Sequence, residues 1–340
     1  MDWFERLTGF RETTYDDTRS KLSVDGRQLH SLVNGKRYGV GRLELVSVAD
    51  LRATAISANA ARGKLKVQIV TGDVRPMHRE QANAGALFQV ASQFNLLEMV
   101  SPDITPERGV TRYQSDPTQG PACAIAAGAA TIYRNYFVPI GDKHGQTATR
   151  QLDGLSDIGT ALATVLREPV SALWQMKNGY ALCTRGGLQA ITAHLGELDE
   201  SEIDALRAKL RIGLHSDVEV TEVLGAQPGP LLSQAFCSAL PVGYSSIPRP
   251  AWEPFARLIL EAAYEATLLC GVLNLARGGS NKVLLTSLGG GAFGNDERWI
   301  HDAIVRALEI FKDVALDVRL VSFGEPSQTF RAIAREFETA

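Results

Sequence analysis

The chain has 340 residues, 45% of them hydrophobic and 21% charged, with a formal net charge of −3. This is enough apolar material for a large core, and the lack of a basic excess argues against a nucleic-acid-binding protein. Cys123, Cys183, Cys237 and Cys270 form no CxxC pair and read as buried thiols, so no disulfide framework is expected and a reducing, cytoplasmic setting fits.

The N-terminal MDWFERLTGFRETTYDD lacks the basic and apolar regions of a secretory signal. No apolar run approaches the ~18 residues that cross a bilayer, so no membrane partner is expected. Residues 1–60 read as an N-terminal extension. Within them, LHSLVNGKRYGVG carries an Asn-Gly pair between short apolar runs, a hairpin signal, and VADLRATAISANA reads as a helix.

Residues 61–338 read as one α/β domain with an insertion at about 138–215. The β-branched run Val67–Val70 ends at Gly72-Asp73 and predicts a buried strand. A second apolar run, GALFQVASQFN, stops at Asn95. A long polar loop follows, of the kind that in compact domains is usually functional or disordered. Pro121 then opens an Ala-rich helix that Gly128 weakens. Inside the insertion, ELDESEIDALRAKL predicts a helix capped by Ser201.

IGLHSDVEVTEV alternates as a strand and would project His215, Asp217 and Glu219 from one face. Such a face suits gripping a guanidinium, holding a metal, or simple solvation. His78 and His144 have no partner spacing and read as surface histidines. Helical spacing runs from Trp252 to Arg277. Next comes LLTSLGGGAFGNDERWIHDAIVRALEIF: a buried strand, a glycine-rich turn and an amphipathic helix with Asp296 as its cap. DVRLVSFGE reads as a closing strand. Long helices alternating with short apolar strands argue for α/β packing.

Three consecutive glycines at a strand end permit positive φ and close approach of the backbone to a ligand. With the following helix N-terminus they make an anion site. The turn matches neither a Walker A loop nor a GxGxxG fingerprint.

This strand, LGGGAFGN and helix resemble the diphosphate loop of the macrodomain superfamily, which binds ADP-ribose. VQIVTGDV and FQVASQFN resemble two further family strands, in the order the family requires. The resemblance covers roughly residues 65–137 and 216–335 and is strongest to arginine-specific ADP-ribosylhydrolases of bacterial effectors. The usual Gly-Gly-Gly-Val loop is replaced by SDPTQGPA, and the Gln-Glu-Glu signature of poly-ADP-ribose glycohydrolases is absent.

What the resemblance implies is a three-layer α/β/α macrodomain-like mixed sheet that binds ADP-ribose or an ADP-ribosylated protein. Asp73 would hold the adenine with Val74 beside it, and Asn95 the distal ribose. Gly289, Gly290, Gly291, Ala292, Gly294 and Asn295 would form the diphosphate turn, with Phe293 packing on the distal ribose. Catalytic acids would come from Asp116, Asp217, Glu219 and Asp296, with Asp116 as candidate general base. The expected activity is removal of mono-ADP-ribose from arginine, without metal or cofactor. The alternatives are a non-catalytic reader, a hydrolase of an ADP-ribose phosphate or ester, and a structural protein with a vestigial turn.

Overall fold

In the computed structural model, residues 1–58, 62–222 and 228–338 are described. The chain begins with α1 (Trp3–Thr8), α2 (Tyr15–Ser20) and a small antiparallel sheet of β1 (Leu22–Asp25), β2 (Gln28–Ser31) and β3 (Arg37–Gly39). The Asn34-Gly35 pair turns β2 into β3, with Gly35 at φ 72°. β4 (Arg42–Ser47) leads into α3 (Val48–Ser57), which is closed by a reciprocal Ser47–Asp50 capping box. Then come β5 (Lys66–Thr71), α4 (Val74–Arg79), β6 (Leu87–Ala91), α5 (Gln119–Ala126) and α6 (Gly128–Tyr136). The predicted Ala-rich helix is thus two helices, broken at Ala127 (φ −109°, ψ 56°).

The segment predicted as an insertion carries β7 (Pro139–Ile140), β8 (Lys143–His144), α7 (Ser156–Leu166), α8 (Val170–Leu173), β9 (Trp174–Lys177), β10 (Tyr180–Cys183), α9 (Arg185–Glu197) and α10 (Glu200–Arg207). Asp199, not Ser201, caps α10, because its carboxylate reaches the Glu202 N–H while Glu202 returns to the Asp199 N–H. The chain ends with β11 (Arg211–Glu219), β12 (Leu231–Cys237), α11 (Glu253–Ala276), β13 (Lys282–Leu285), α12 (Glu297–Ile310), β14 (Asp317–Ser322) and α13 (Gln328–Glu338).

Seven strands form one mixed sheet in the order β4-β11-β12-β6-β13-β14-β5. The five from β12 to β5 run parallel, and β11 and β4 add antiparallel at one edge. Strand periodicity divides the sheet's side chains between two helical layers. Leu87, Ala235, Cys237, Val283, Leu285, Val318 and Leu320 pack with α11, α12, α3 and the helices of the 138–215 segment. Phe88, Val90, Leu232, Phe236 and Leu284 pack with α4, α5 and α6 on the other face. The expected three-layer α/β/α arrangement around a mixed sheet is therefore present.

Two sequence expectations are corrected. α11 is long and apolar enough to cross a membrane by length and composition (24 residues, mean hydropathy 1.5), although no such run was expected. Its side chains are buried against the sheet and neighbouring helices, so its apolarity serves the core. His78 is fully buried rather than superficial: Nδ1 lies 2.8 Å from the Val74 carbonyl, and its ring centroid is 3.9 Å from that of Phe88. Burial pushes its pKa down to about 4.

The first forty residues form their own cluster, with Trp3, Phe4, Leu29 and Tyr38 packed against Leu97, Met99, Val110 and Tyr113 of the long loop after β6. Glu12 fastens that loop. Its carboxylate accepts from the N–H groups of Val110 (2.9 Å) and Thr111 (2.7 Å) and from the Tyr136 hydroxyl (2.7 Å). Hydrogen bonds to a charged group contribute about 1.5–3 kcal/mol each, and orphaned donors add to the loss. Glu12→Ala is expected to lower unfolding free energy by about 2–4 kcal/mol in urea titration. The same change is expected to open residues 100–115 to limited proteolysis; unchanged cleavage there would show that the apolar cluster alone holds the loop.

Candidate functional site

β6 and β13 pair only through Leu87 and Phe88 against Val283 and Leu284, and then part. Their freed main-chain groups are taken up by amide side chains. Gln119 donates from Nε2 to the Gln89 carbonyl (2.7 Å) and accepts at Oε1 from the Ala91 N–H (2.9 Å). The Thr286 N–H donates to Gln89 Oε1 (3.2 Å). The opening lies at the carboxyl ends of parallel strands, where open α/β sheets bind ligands, and forms a cleft of about 150 Å³.

One wall is the glycine-rich turn after β13. Gly289 (φ 74°) and Gly294 (φ 68°) adopt the left-handed conformation. The Gly290 N–H bonds the Ser287 carbonyl, the Gly294 N–H the Gly291 carbonyl and the Asn295 N–H the Gly289 carbonyl. From below, the Tyr264 hydroxyl donates to the Thr286 carbonyl (2.8 Å) and accepts from the Leu288 N–H (2.9 Å). Asn295 Nδ2 donates to the Leu240 carbonyl (2.8 Å), tying the turn to the exit of β12. Among the described residues, the N–H groups of Gly289, Gly291, Ala292 and Phe293 have no partner. All four residues line the cleft.

A second wall is the start of α5. Thr118 makes no side-chain cap there, and the N–H groups of Gln119 and Gly120 have no partner among the described residues. Gly120 is required by close approach, since a Cβ would stand 2.0 Å from the Ala91 carbonyl oxygen. The helix thus presents the positive end of its dipole to the cleft. A third wall is aromatic: the Tyr180, Tyr244 and Phe293 ring centroids lie 5.1–5.6 Å apart.

Among the described residues, the charged side chains lining the cleft are both acids, Glu98 and Asp116. Asp116 Oδ1 accepts from the Thr118 N–H (2.9 Å) and hydroxyl (2.6 Å). Glu98 is 2% exposed. Its Oε1 lies 3.3 Å from Arg134 Nη2, while Oε2 has no partner among the described residues. Burial, opposed by Arg134, pushes its pKa up to about 7. On the far side of Thr286 and Ser287 a second cavity, of about 250 Å³, contains Phe323, which is 79% exposed. The Gly72 N–H donates to the carbonyl of Ser322, a residue that lines this cavity (2.8 Å); Asp73 is exposed, does not line the cavity, and caps α4 by accepting from the Arg75 N–H (2.8 Å).

Of the residues singled out from sequence, the cleft gathers Asp116, Gly289, Gly291, Ala292 and Phe293. Gly290 and Gly294 shape the turn without lining the cleft, and Asn295 braces it from a buried position. Val74 is buried in the layer between sheet and α4. Asn95 lies four residues past the end of β6, with no exposure. Its amide bonds Gln151 (2.9 Å) and its oxygen accepts from the Leu97 N–H (3.1 Å).

The strand carrying Asp217 and Glu219 meets β12 at its start: Glu219 is opposite Leu231, whereas the cleft lies past Cys237. A register shift between His215 and Val218 breaks the expected alternation, leaving Asp217 exposed at φ 55° while His215 and Glu219 are buried. Glu219 accepts from the Gly39 N–H (2.6 Å). Among the described residues no group of three or more His, Cys, Asp or Glu could hold a metal ion. Asp296 caps α12 outside the cleft, and the bond from the Arg298 N–H holds its carboxyl below the usual range. Sequence reasoning missed Glu98, Tyr180 and Tyr244. Glu98 left one signal, a lone acid inside the apolar stretch FNLLEM.

No protein-family model and no curated protein matches the sequence. Among solved structures, the chain is similar to poly(ADP-ribose) glycohydrolase from Deinococcus radiodurans in complex with ADP-ribose. That match has 12% identity over 87% of this chain and 94% of the other, with a TM-score of 0.47. It is also similar to poly(ADP-ribose) glycohydrolase from Thermomonospora curvata, at 12% identity over 94% of each chain and a TM-score of 0.44.

The two middle-turn glycines that line the cleft differ in what they tolerate. A Cβ on Gly289 would stand 2.5 Å from the Ala239 Cβ, whereas one on Gly291 meets nothing within 4 Å. Gly289→Ala is expected to cost about 2–4 kcal/mol, combining left-handed strain with overpacking. Gly291→Ala is expected to stay within about 0.5 kcal/mol of wild type. Urea unfolding of both variants checks this, and equal stabilities would contradict the turn geometry.

Proposed function

We propose that this chain is an ADP-ribose-binding hydrolase that removes mono-ADP-ribose from arginine side chains by cleaving the N-glycosidic bond. The observation that carries the reading is the division of labour in the cleft. Among the described residues, four unpartnered N–H groups come from the glycine turn and two from the start of α5, while the charged lining side chains are Glu98 and Asp116. A diphosphate suits main-chain donors and a helix N-terminus. An anion gains nothing from two carboxylates, but a guanidinium does, and so does the positive charge that builds on the sugar as the bond breaks.

In this reading the glycine turn holds the diphosphate and the ring of Phe293 packs on the distal ribose. Asp73 bonds the adenine amine, and the exposed face of Phe323 offers a stacking surface for the base. Asp116 faces the guanidinium with Oδ2, which has no partner among the described residues. The scaffold residues Gly290, Gly294 and Asn295 serve by holding the turn's path. The four cysteines are free and buried, in keeping with the cytoplasmic location proposed for the chain.

The test is calorimetric titration of ADP-ribose into wild type and Gly291→Glu, followed by assays on arginine-, serine- and glutamate-linked ADP-ribosyl peptides. Glutamate at the open position of the turn brings bulk and like charge, which typically costs several kcal/mol, so affinity is expected to fall by about 100-fold or more. Wild type is expected to release ADP-ribose from the arginine-linked peptide only. Binding without release from any peptide would make the chain a reader, and absence of binding at millimolar ligand would remove ADP-ribose from consideration.

A further inference from the structure

In the reading above Glu98 contributes only negative charge to the cleft, and its position is costly. The residue is 2% exposed, and Oε2 is buried with no hydrogen-bond partner among the described residues. Buried carboxylate oxygens are normally satisfied, and an orphan one destabilises the fold. The stem of Glu98 lies beside the start of α5, where a Cβ on Gly120 would stand 3.1 Å from Glu98 Cγ, so glycine at 120 leaves the side chain its place. The Glu98 N–H donates to the Tyr113 hydroxyl (3.0 Å). Among the described residues its cationic neighbour is Arg134 of α6, at 3.3 Å, whose guanidinium also donates to the Leu96 carbonyl and the Thr131 hydroxyl and leaves Nη1 without a partner.

We propose that Glu98 is the catalytic base of the cleft. It takes a proton from the water that attacks the anomeric carbon and passes it to the departing nitrogen. This rests on the hydrolase reading. The bond formed joins the water oxygen to the anomeric carbon. The bond broken joins that carbon to the guanidinium nitrogen, which keeps the bonding pair. The substrate's cationic charge is neutralised as that pair arrives, and the proton carried by Glu98 restores the free guanidinium. Glu98 ends ionised, as it began, and no other reactant is consumed.

The groups facing Glu98 support this role. Tyr113 of the loop before α5 and Cys123 of α5 are both held neutral, their pKa values raised by burial, so neither competes for the proton. Arg134 favours the ionised carboxylate, and burial opposes it with the larger effect, giving a value of about 7. A base must be ionised to act, so the rate rises with pH through about 7 and levels above it. Asp116, the remaining charged residue of the cleft, is partly exposed.

The experiment compares wild type, Glu98→Gln and Asp116→Asn on an arginine-linked ADP-ribosyl peptide, with ADP-ribose affinity measured alongside. Glu98→Gln is expected to lower kcat by about 100-fold or more while ADP-ribose affinity stays within about threefold, and its residual rate loses the acid limb near pH 7. A kcat within about threefold of wild type overturns the proposal, as does a folded variant that has lost ADP-ribose binding, which would make Glu98 a structural residue. If Glu98→Gln does not fold, the pH profiles decide: a limb near pH 7 in both wild type and Asp116→Asn supports Glu98. A flat profile in wild type, or a limb that Asp116→Asn abolishes, overturns it. Wild type that binds ADP-ribose but cleaves no linkage removes the hydrolase reading along with the base, a result distinct from failure of Glu98 alone.

Discussion

The parting of two parallel strands governs the whole site. β6 and β13 share only two register pairs, and the main-chain groups released where they separate would be costly to leave unpaired. Gln119 and Gln89 satisfy them. That solution has consequences in sequence. Gln119 must sit at the first position of α5, so the helix N-terminus is drawn to the opening, and its neighbour must be glycine because the Ala91 carbonyl is in the way. The cleft and its helix-dipole wall follow from one hydrogen-bond requirement.

What the sequence made legible was local. The glycine turn, the Asn34-Gly35 hairpin, the cap of α12 and the long helix at 253–276 are written in short-range punctuation, and each is present. The failures share a different origin. The apolar run to Asn95 outlasts β6 because Phe94, Leu96 and Leu97 are buried in the turn beyond it, so composition hides where pairing stops. The alternation of His215, Asp217 and Glu219 is broken by one bulge, which the period-2 pattern does not announce. Tyr180 arrives at the cleft from a hairpin remote in sequence, and nothing in its neighbours marks it.

The N-terminal forty residues and the 138–215 segment are integrated parts of the pocket's frame. The first packs on the loop between β6 and α5 and fastens it through Glu12. The second shares the main core with α11 and contributes the aromatic wall through Tyr180. The Tyr180 hydroxyl donates to the Met99 carbonyl (2.6 Å), and the N-terminal cluster packs on Leu97 and Met99, so both additions converge on the residues flanking Glu98. Precision at a buried acid needs such support, because small shifts change both its solvation and its reach.

The donors of the glycine turn belong to the peptide backbone. They survive any codon change that leaves the path through Gly289 and Gly294 intact, while the residues around them are free to drift. Likeness between such sites is carried by the course of the chain more than by its letters. For an inhibitor this has a practical meaning. A compound anchored on these N–H groups faces no donor side chain whose truncation removes its hold, so resistance has to arise by distorting the turn, by obstructing it from an open position such as Gly291, or by changing the cleft elsewhere.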